Sequence, residues 1–185
     1  MAVFYRFEMR SDKKAKVIRG VLCDARKGAF QLIGIIDYGA GNLKSVQNAL
    51  DRVGAAWRMC ASPADFQGAD GLILPGVGSF GAAMEQLDKA GLSDPIRAWA
   101  AAGRPLLGIC LGLQLLFQES EECPGVKGLG IFPGGFKRFP DDMGLKVPHI
   151  GWNRLSILKK AGIFRDVEPD SFCYFVHSYY LAADA

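Results

Sequence analysis

From Ile33 onward the hydrophobic residues fall into two alternating patterns, whereas in the first 32 positions they are broken up by charges. Short apolar runs at Ile33 to Asp37, Ala56 to Cys60, Gly71 to Leu74 and Pro105 to Cys110 read as strands buried on both faces. Between the first two, Leu43, Val46, Ala49, Leu50 and Val53 recur at three- and four-residue spacing. That spacing predicts a helix, capped by Asn42 and stopped by Gly54. Further helices are expected over Ala82 to Ala90, Pro95 to Ala102 and Leu111 to Gln118. Apolar strands alternating with helices imply an α/β fold: a mostly parallel sheet with helices on both faces and ligands at the carboxyl ends of the strands. After Glu122 the texture shifts to strand-like pieces at Gly128 to Phe132, Lys146 to Trp152 and Ser171 to Leu181, separated by Gly-Gly and Pro-Asp turns.

Composition narrows the class. The chain has 185 residues, half of them hydrophobic, enough for one domain with its own core. Its net charge of +3 is unevenly placed: Met1 to Leu32 carries 8 Lys/Arg against 3 Asp/Glu, and the remainder 14 against 16. The basic excess therefore belongs to an N-terminal extension, residues 1–32, expected to stand outside the fold of residues 33–185. Neither nucleic acid nor membrane is expected as a partner. Charges interrupt the extension too often for a secretory signal, and a transit peptide would hold more serine and fewer acids. Pro105 to Phe117, the longest weakly polar run, is too short to span a bilayer. Five scattered cysteines without a C-x-x-C pair fit a reducing, cytoplasmic setting and suggest no metal. No organic cofactor is indicated.

Two segments carry candidate chemistry. Gly76-Val77-Gly78-Ser79-Phe80-Gly81 has the G-x-G-x-x-G form, but at the third strand-helix turn and without an acid ending the next strand. Dinucleotide binding is thereby disfavoured, and the alternative use of such a turn is to aim backbone N–H groups at a developing negative charge. Gly108-Ile109-Cys110-Leu111-Gly112 has the form G-x-nucleophile-x-G at a strand-to-helix junction. The flanking glycines allow a sharp turn that exposes the sulfur. A buried structural cysteine is the competing reading of these five residues.

Several separate segments together resemble the class I, triad-type glutamine amidotransferases of flavodoxin-like fold, and within them the amidotransferase subunit of imidazole glycerol phosphate synthase. They are Asp37-Tyr38-Gly39-Ala40-Gly41-Asn42-Leu43, Leu74-Pro75-Gly76-Val77-Gly78-Ser79-Phe80-Gly81, Gly108 to Phe117, Val147-Pro148-His149-Ile150-Gly151-Trp152-Asn153 and Phe175-Val176-His177-Ser178-Tyr179. The cysteine elbow points to the broad family, and the Pro-His-Ile-Gly-Trp-Asn and Asp-Tyr-Gly-x-Gly-Asn segments to this subunit. The resemblance implies that Cys110 attacks the side-chain amide of L-glutamine, giving a γ-glutamyl thioester and ammonia. It places the oxyanion hole at Val77, Gly78 and Leu111, and glutamine binding at Gln114, Glu122, Ser178 and Tyr179, with Glu121 a neighbouring candidate. It further implies a heterodimer with a cyclase subunit, a (β/α)8 barrel that uses the ammonia in histidine biosynthesis. Asn42, His149, Gly151 and Trp152 match interface positions, core packing being the alternative for Trp152.

One part of the family pattern is missing. A cysteine nucleophile of this kind works with a histidine base and an orienting acid, which the family carries on a His-Pro-Glu-Lys-Ser segment. The two histidines here, His149 and His177, fall in other motifs. The expectation is a fold whose C-terminal part is missing, leaving a sheet edge unpaired and the chain nearly inactive as a glutaminase by itself. A catalytically inactive partner-binding relative and another class I amidotransferase remain as alternatives.

Overall fold

The structure is a computed structural model and describes residues 32–158, 162–165 and 167–182. The reading of residues 1–32 as a separate extension therefore lies outside the described residues, except at Leu32. The Leu32 amide donates to the Asp70 carboxylate at 2.9 Å and its carbonyl accepts from the Asp70 amide at 2.8 Å, which ties the entry of the first strand to the loop before the third.

Strands β1 (Ile33–Ile36), β2 (Trp57–Cys60), β3 (Gly71–Gly76) and β4 (Leu106–Cys110) form one parallel sheet in the order β2-β1-β3-β4. Every residue of β1 and β3 is buried, which is why both read as unbroken apolar runs rather than alternating ones. Their side chains nonetheless divide by face. Ile33, Ile35 and Ile73 pack with Leu50 of helix α1 (Leu43–Arg52). Ile36, Leu72 and Leu74 join the larger core on the opposite face, built with α2 (Phe80–Lys89), α3 (Ser93–Ala101) and α4 (Leu111–Leu115). The expected α/β layering, helices on both faces of a parallel sheet, is what the chain adopts. Asn42 caps α1 as expected, its Oδ1 accepting from the Ser45 amide at 3.2 Å. Among the described residues, no helix is long and apolar enough to cross a membrane.

Three sequence expectations fail, each for a visible reason. The helix expected over Leu111 to Gln118 ends at Leu115. The carbonyls of Leu115, Leu116, Phe117 and Gln118 accept instead from the amides of Leu129, Ile131, Gly130 and Gly128, so a returning loop caps the helix. For the same reason Gly128 to Phe132 is not a strand. Its backbone groups are used on α4, and the strand is β6 (Gly135–Arg138), which pairs in parallel with the two-residue β5 (Glu119–Ser120). Finally, the piece expected over Ser171 to Leu181 is two strands that part at Ser178. β8 (Phe172–His177) pairs antiparallel with β7 (His149–Arg154), while β9 (Tyr179–Leu181) pairs antiparallel with β6.

Candidate active site

Cys110 ends β4 directly opposite Gly76, which ends β3. Its backbone is the clearest irregularity of the sheet: φ is 57° and ψ is −120°, a region that non-glycine residues rarely enter. The turn that imposes it is packed too tightly for side chains on three sides. A Cβ on Gly112 would lie 1.9 Å from the Leu74 carbonyl oxygen, one on Gly76 2.5 Å from the Gly112 nitrogen, and one on Gly108 2.5 Å from the Leu113 Cα. The glycines of G-x-C-x-G thus let α4 press against the ends of β3 and β4, and the cysteine absorbs the strain at their meeting point. Such elbows present a nucleophile at the top of a sheet.

The sulfur-bearing residue opens on a cavity of about 380 Å³, a size suited to a small molecule. Of the residues singled out from sequence, Cys110, Val77, Gly78, Leu111, Gln114, Glu122, Ser178 and Tyr179 all line it. They arrive from four places: the turn after β3, the β4–α4 elbow, the loop after β5, and the β8–β9 junction. The wall also holds Leu113, Phe136, Pro148, Val176 and His177, which sequence reasoning had not placed there. The other four candidates stand apart. Asn42 caps α1, and His149, Gly151 and Trp152 lie on β7, none of them lining the cavity. Trp152 is 70% exposed, its ring edge-to-face with Tyr174 at 5.6 Å, so it is no part of the core.

Polar groups in the cavity have distinct commitments. Gln114 Oε1 is buried and, among the described residues, has no hydrogen-bond partner. Glu122 accepts from the Phe80 amide at 2.8 Å at the start of α2, whereas Glu121 turns to β6 and accepts from the Arg138 amide at 2.9 Å. The two neighbouring acids are thereby separated: only Glu122 faces the cavity. Gly78 has φ of 90°, a left-handed turn open to glycine at little cost.

Beneath the cavity, the hydroxyl of buried Tyr38 donates to the Pro75 carbonyl at 3.0 Å. Burial, and then the Cys110 charge, push its pKa up to about 12, so it stays a donor throughout the working range. Tyr38 belongs to a motif recognised in the sequence, but its role as a brace for the turn carrying Val77 and Gly78 is visible only in the packing. His177 is held below the usual imidazole range, first by burial, although its bond to the Tyr179 carbonyl opposes this and nearby His149 reinforces it.

Three comparisons with known proteins bear on this arrangement. Residues 34–185 match the family "Glutamine amidotransferase class-I". The chain is 50% identical to the imidazole glycerol phosphate synthase subunit HisH of Syntrophotalea carbinolica, over 83% of this chain and 77% of that one. It is 51% identical to the HisH subunit of Halalkalibacterium halodurans, over 83% and 74%. It is also 44% identical to the chloroplastic imidazole glycerol phosphate synthase hisHF of Arabidopsis thaliana, over 91% of this chain but 28% of that one. In fold it is similar to a crystal structure of a glutamine amidotransferase, with a TM-score of 0.64 at 20% identity over 82% of this chain and 74% of the other. The chain belongs to the class-I glutamine amidotransferase family.

Proposed function

We propose that the chain is the glutamine-hydrolysing subunit of imidazole glycerol phosphate synthase, with Cys110 as the nucleophile and the cavity as its glutamine site. One observation carries the reading: a cysteine forced into a strained elbow faces a cavity that Gln114 and the Glu122 carboxylate also line. The α-ammonium of glutamine needs acceptors, which Glu122 supplies and which Gln114 Oε1 supplies once its side chain turns into the cavity. Its α-carboxylate needs donors, which Ser178 and Tyr179 supply from the β8–β9 junction. Held in this way, the side-chain amide reaches Cys110.

The sulfur attacks the amide carbon, and the resulting oxyanion is stabilised by the amide of Leu111 and by those of the Val77–Gly78 turn. The C–N bond then breaks, the nitrogen leaves as ammonia carrying the proton lost by the thiol, and a γ-glutamyl thioester remains. Water cleaves the thioester to glutamate and restores the thiol. His177 is not proposed as the base. Its Nδ1 lies 2.9 Å from the Tyr179 carbonyl and its Nε2 lies 3.1 Å from His149 Nδ1, so both nitrogens are already engaged in hydrogen bonds. The 185 residues hold no His-Pro-Glu segment, and what is proposed for them is binding, attack and partner contact.

The partner is the cyclase subunit, a (β/α)8 barrel that takes up the ammonia, with Asn42, His149, Gly151 and Trp152 at the contact. The plant relative, an imidazole glycerol phosphate synthase named hisHF of which this chain covers only 28%, supports a second component of the synthase. Calorimetry tests the substrate: L-glutamine binds, L-asparagine does not, and Gln114→Ala weakens glutamine by about tenfold, as expected on losing a hydrogen bond to a charged group. Equal binding of both amino acids, or of neither, would sink the proposal. For the partner, Trp152→Ala weakens association with the cyclase, and unchanged affinity in a folded variant would remove Trp152 from the contact.

A further inference from the structure

A line of side chains crosses from β7 to the cavity wall, and its hydrogen bonds can be ordered from either end with the same result. At the outer end, the Arg154 amide donates to Asn153 Oδ1 at 2.9 Å, which fixes the orientation of that side-chain amide. Its NH2 group then faces His149 Nε2 at 3.4 Å and can only donate, so His149 Nε2 is an acceptor and the proton of a neutral ring sits on Nδ1. His149 Nδ1 lies 3.1 Å from His177 Nε2 and donates to it. At the inner end, His177 Nδ1 lies 2.9 Å from the Tyr179 carbonyl, which can only accept, so the His177 proton is on Nδ1 and its Nε2 is an acceptor. The two deductions meet without conflict. Both rings are held in place by flat aromatic neighbours: Phe175 stacks on His149 at 5.2 Å and Phe139 meets His177 edge-on at 5.1 Å.

We propose that Asn153, His149 and His177 form a one-directional hydrogen-bond chain that positions the Ser178–Tyr179 wall of the cavity for the α-carboxylate of glutamine. His149 and His177 are thus positioning residues that act through the turn they hold. The placement rests on the reading of the cavity as a glutamine site. The wall needs such support because β8 and β9 part at Ser178 to join different sheets. Besides this chain, the Phe139 amide donates to the Ser178 carbonyl at 3.0 Å, so the turn is gripped from both sides.

Two measurements test the proposal. The chain has two histidines, so ¹⁵N-detected spectra of the ring nitrogens resolve both. Above pH 7 each ring shows its proton on Nδ1, the form less favoured by free imidazole side chains. An Nε2-protonated form of either ring would overturn the chain of bonds. The second measurement is the concentration dependence of Cys110 alkylation by 6-diazo-5-oxo-L-norleucine, a glutamine analogue with a diazoketone in place of the amide. His149→Ala and His149→Gln, which place no donor at the Nδ1 position, raise the half-saturating concentration about five- to tenfold, while the limiting rate stays within twofold. His149→Asn, whose amide nitrogen can occupy that position, restores it to within twofold. Unchanged half-saturation in His149→Ala or His149→Gln overturns the positioning role. Should His149→Ala not fold, His149→Gln and the ring tautomers of the unaltered protein decide. If the unaltered protein is not alkylated at Cys110 at all, the glutamine reading fails, and the tautomers alone still decide the hydrogen-bond chain.

Discussion

The parallel sheet and the β7–β8 hairpin handle hydrophobic residues in opposite ways. In β1 and β3 every position is buried, and the two faces are sealed by helices. In the hairpin, Ile150, Trp152 and Arg154 pair with Val176, Tyr174 and Phe172, and this face remains open, with Trp152 70% and Phe172 58% exposed. One region is a finished scaffold and the other presents a surface. The cavity lies where they meet, taking its sulfur from the scaffold and its Ser178–Tyr179 wall from the end of the hairpin. The strained Cys110, proposed as the nucleophile, therefore sits on the part of the molecule best able to hold strain.

The largest effect expected from this contrast is chemical. Cys110→Ala abolishes labelling by a glutamine analogue, as loss of the nucleophile can cost about a millionfold in turnover, while the melting temperature falls little. Next comes backbone crowding. Gly112→Ala forces a methyl group against the Leu74 carbonyl, 1.9 Å away, and a cost above about 3 kcal/mol is expected in denaturant titrations. Gly144→Ala, at φ of 66° but in open space in the connection between β6 and β7, costs only about 1 kcal/mol. Side-chain truncation sharpens the same contrast: Leu74→Ala costs about 2–5 kcal/mol, and Trp152→Ala shifts stability by less than about 0.5 kcal/mol. Comparable losses at the two sites would contradict the division into scaffold and surface. A smaller effect is expected at the brace under the site, where Tyr38→Phe removes one buried hydrogen bond, worth about 1 kcal/mol, and slows Cys110 alkylation by disordering the turn after β3.

The smallest effect is on pH dependence. His177 has a lowered pKa in the fold, so on acidification the unfolded chain takes up a proton before the folded chain does. Its contribution to stability is fully present above the ordinary imidazole value and declines as pH falls from there through the folded value. The titratable groups around it are His149 across the hairpin and Cys110, Glu122 and Tyr179 around the cavity. His177→Phe should flatten the fall in melting temperature between neutral and mildly acidic pH, and an unaltered slope would remove His177 as its source.

The scaffold was legible in the sequence because its signals are local. Apolar runs of β-branched residues, Asn42 as a cap and Gly54 as a stop depend on neighbours in the chain, and the structure realises them where expected. The second region was less legible because its elements are settled by distant partners. Gly128 to Phe132 has the composition of a strand, yet its amides serve the carbonyls of Leu115 to Gln118 at and just past the end of α4, and Ser171 to Leu181 looks continuous but is divided between two partners at Ser178. The cavity residues were found through motifs, and the packing adds why they converge. Spacing alone could not show that Glu122 and not Glu121 faces inward, nor that two histidines from separate motifs touch.

Whether Cys110 is a glutamine-directed nucleophile is read out by peptide-mapping mass spectrometry after exposure to 6-diazo-5-oxo-L-norleucine, with and without excess L-glutamine. A single adduct on Cys110, suppressed by glutamine, is expected, with Cys23, Cys60, Cys123 and Cys173 unmodified. An adduct spread over several cysteines, or one on Cys110 that glutamine does not suppress, would contradict that role.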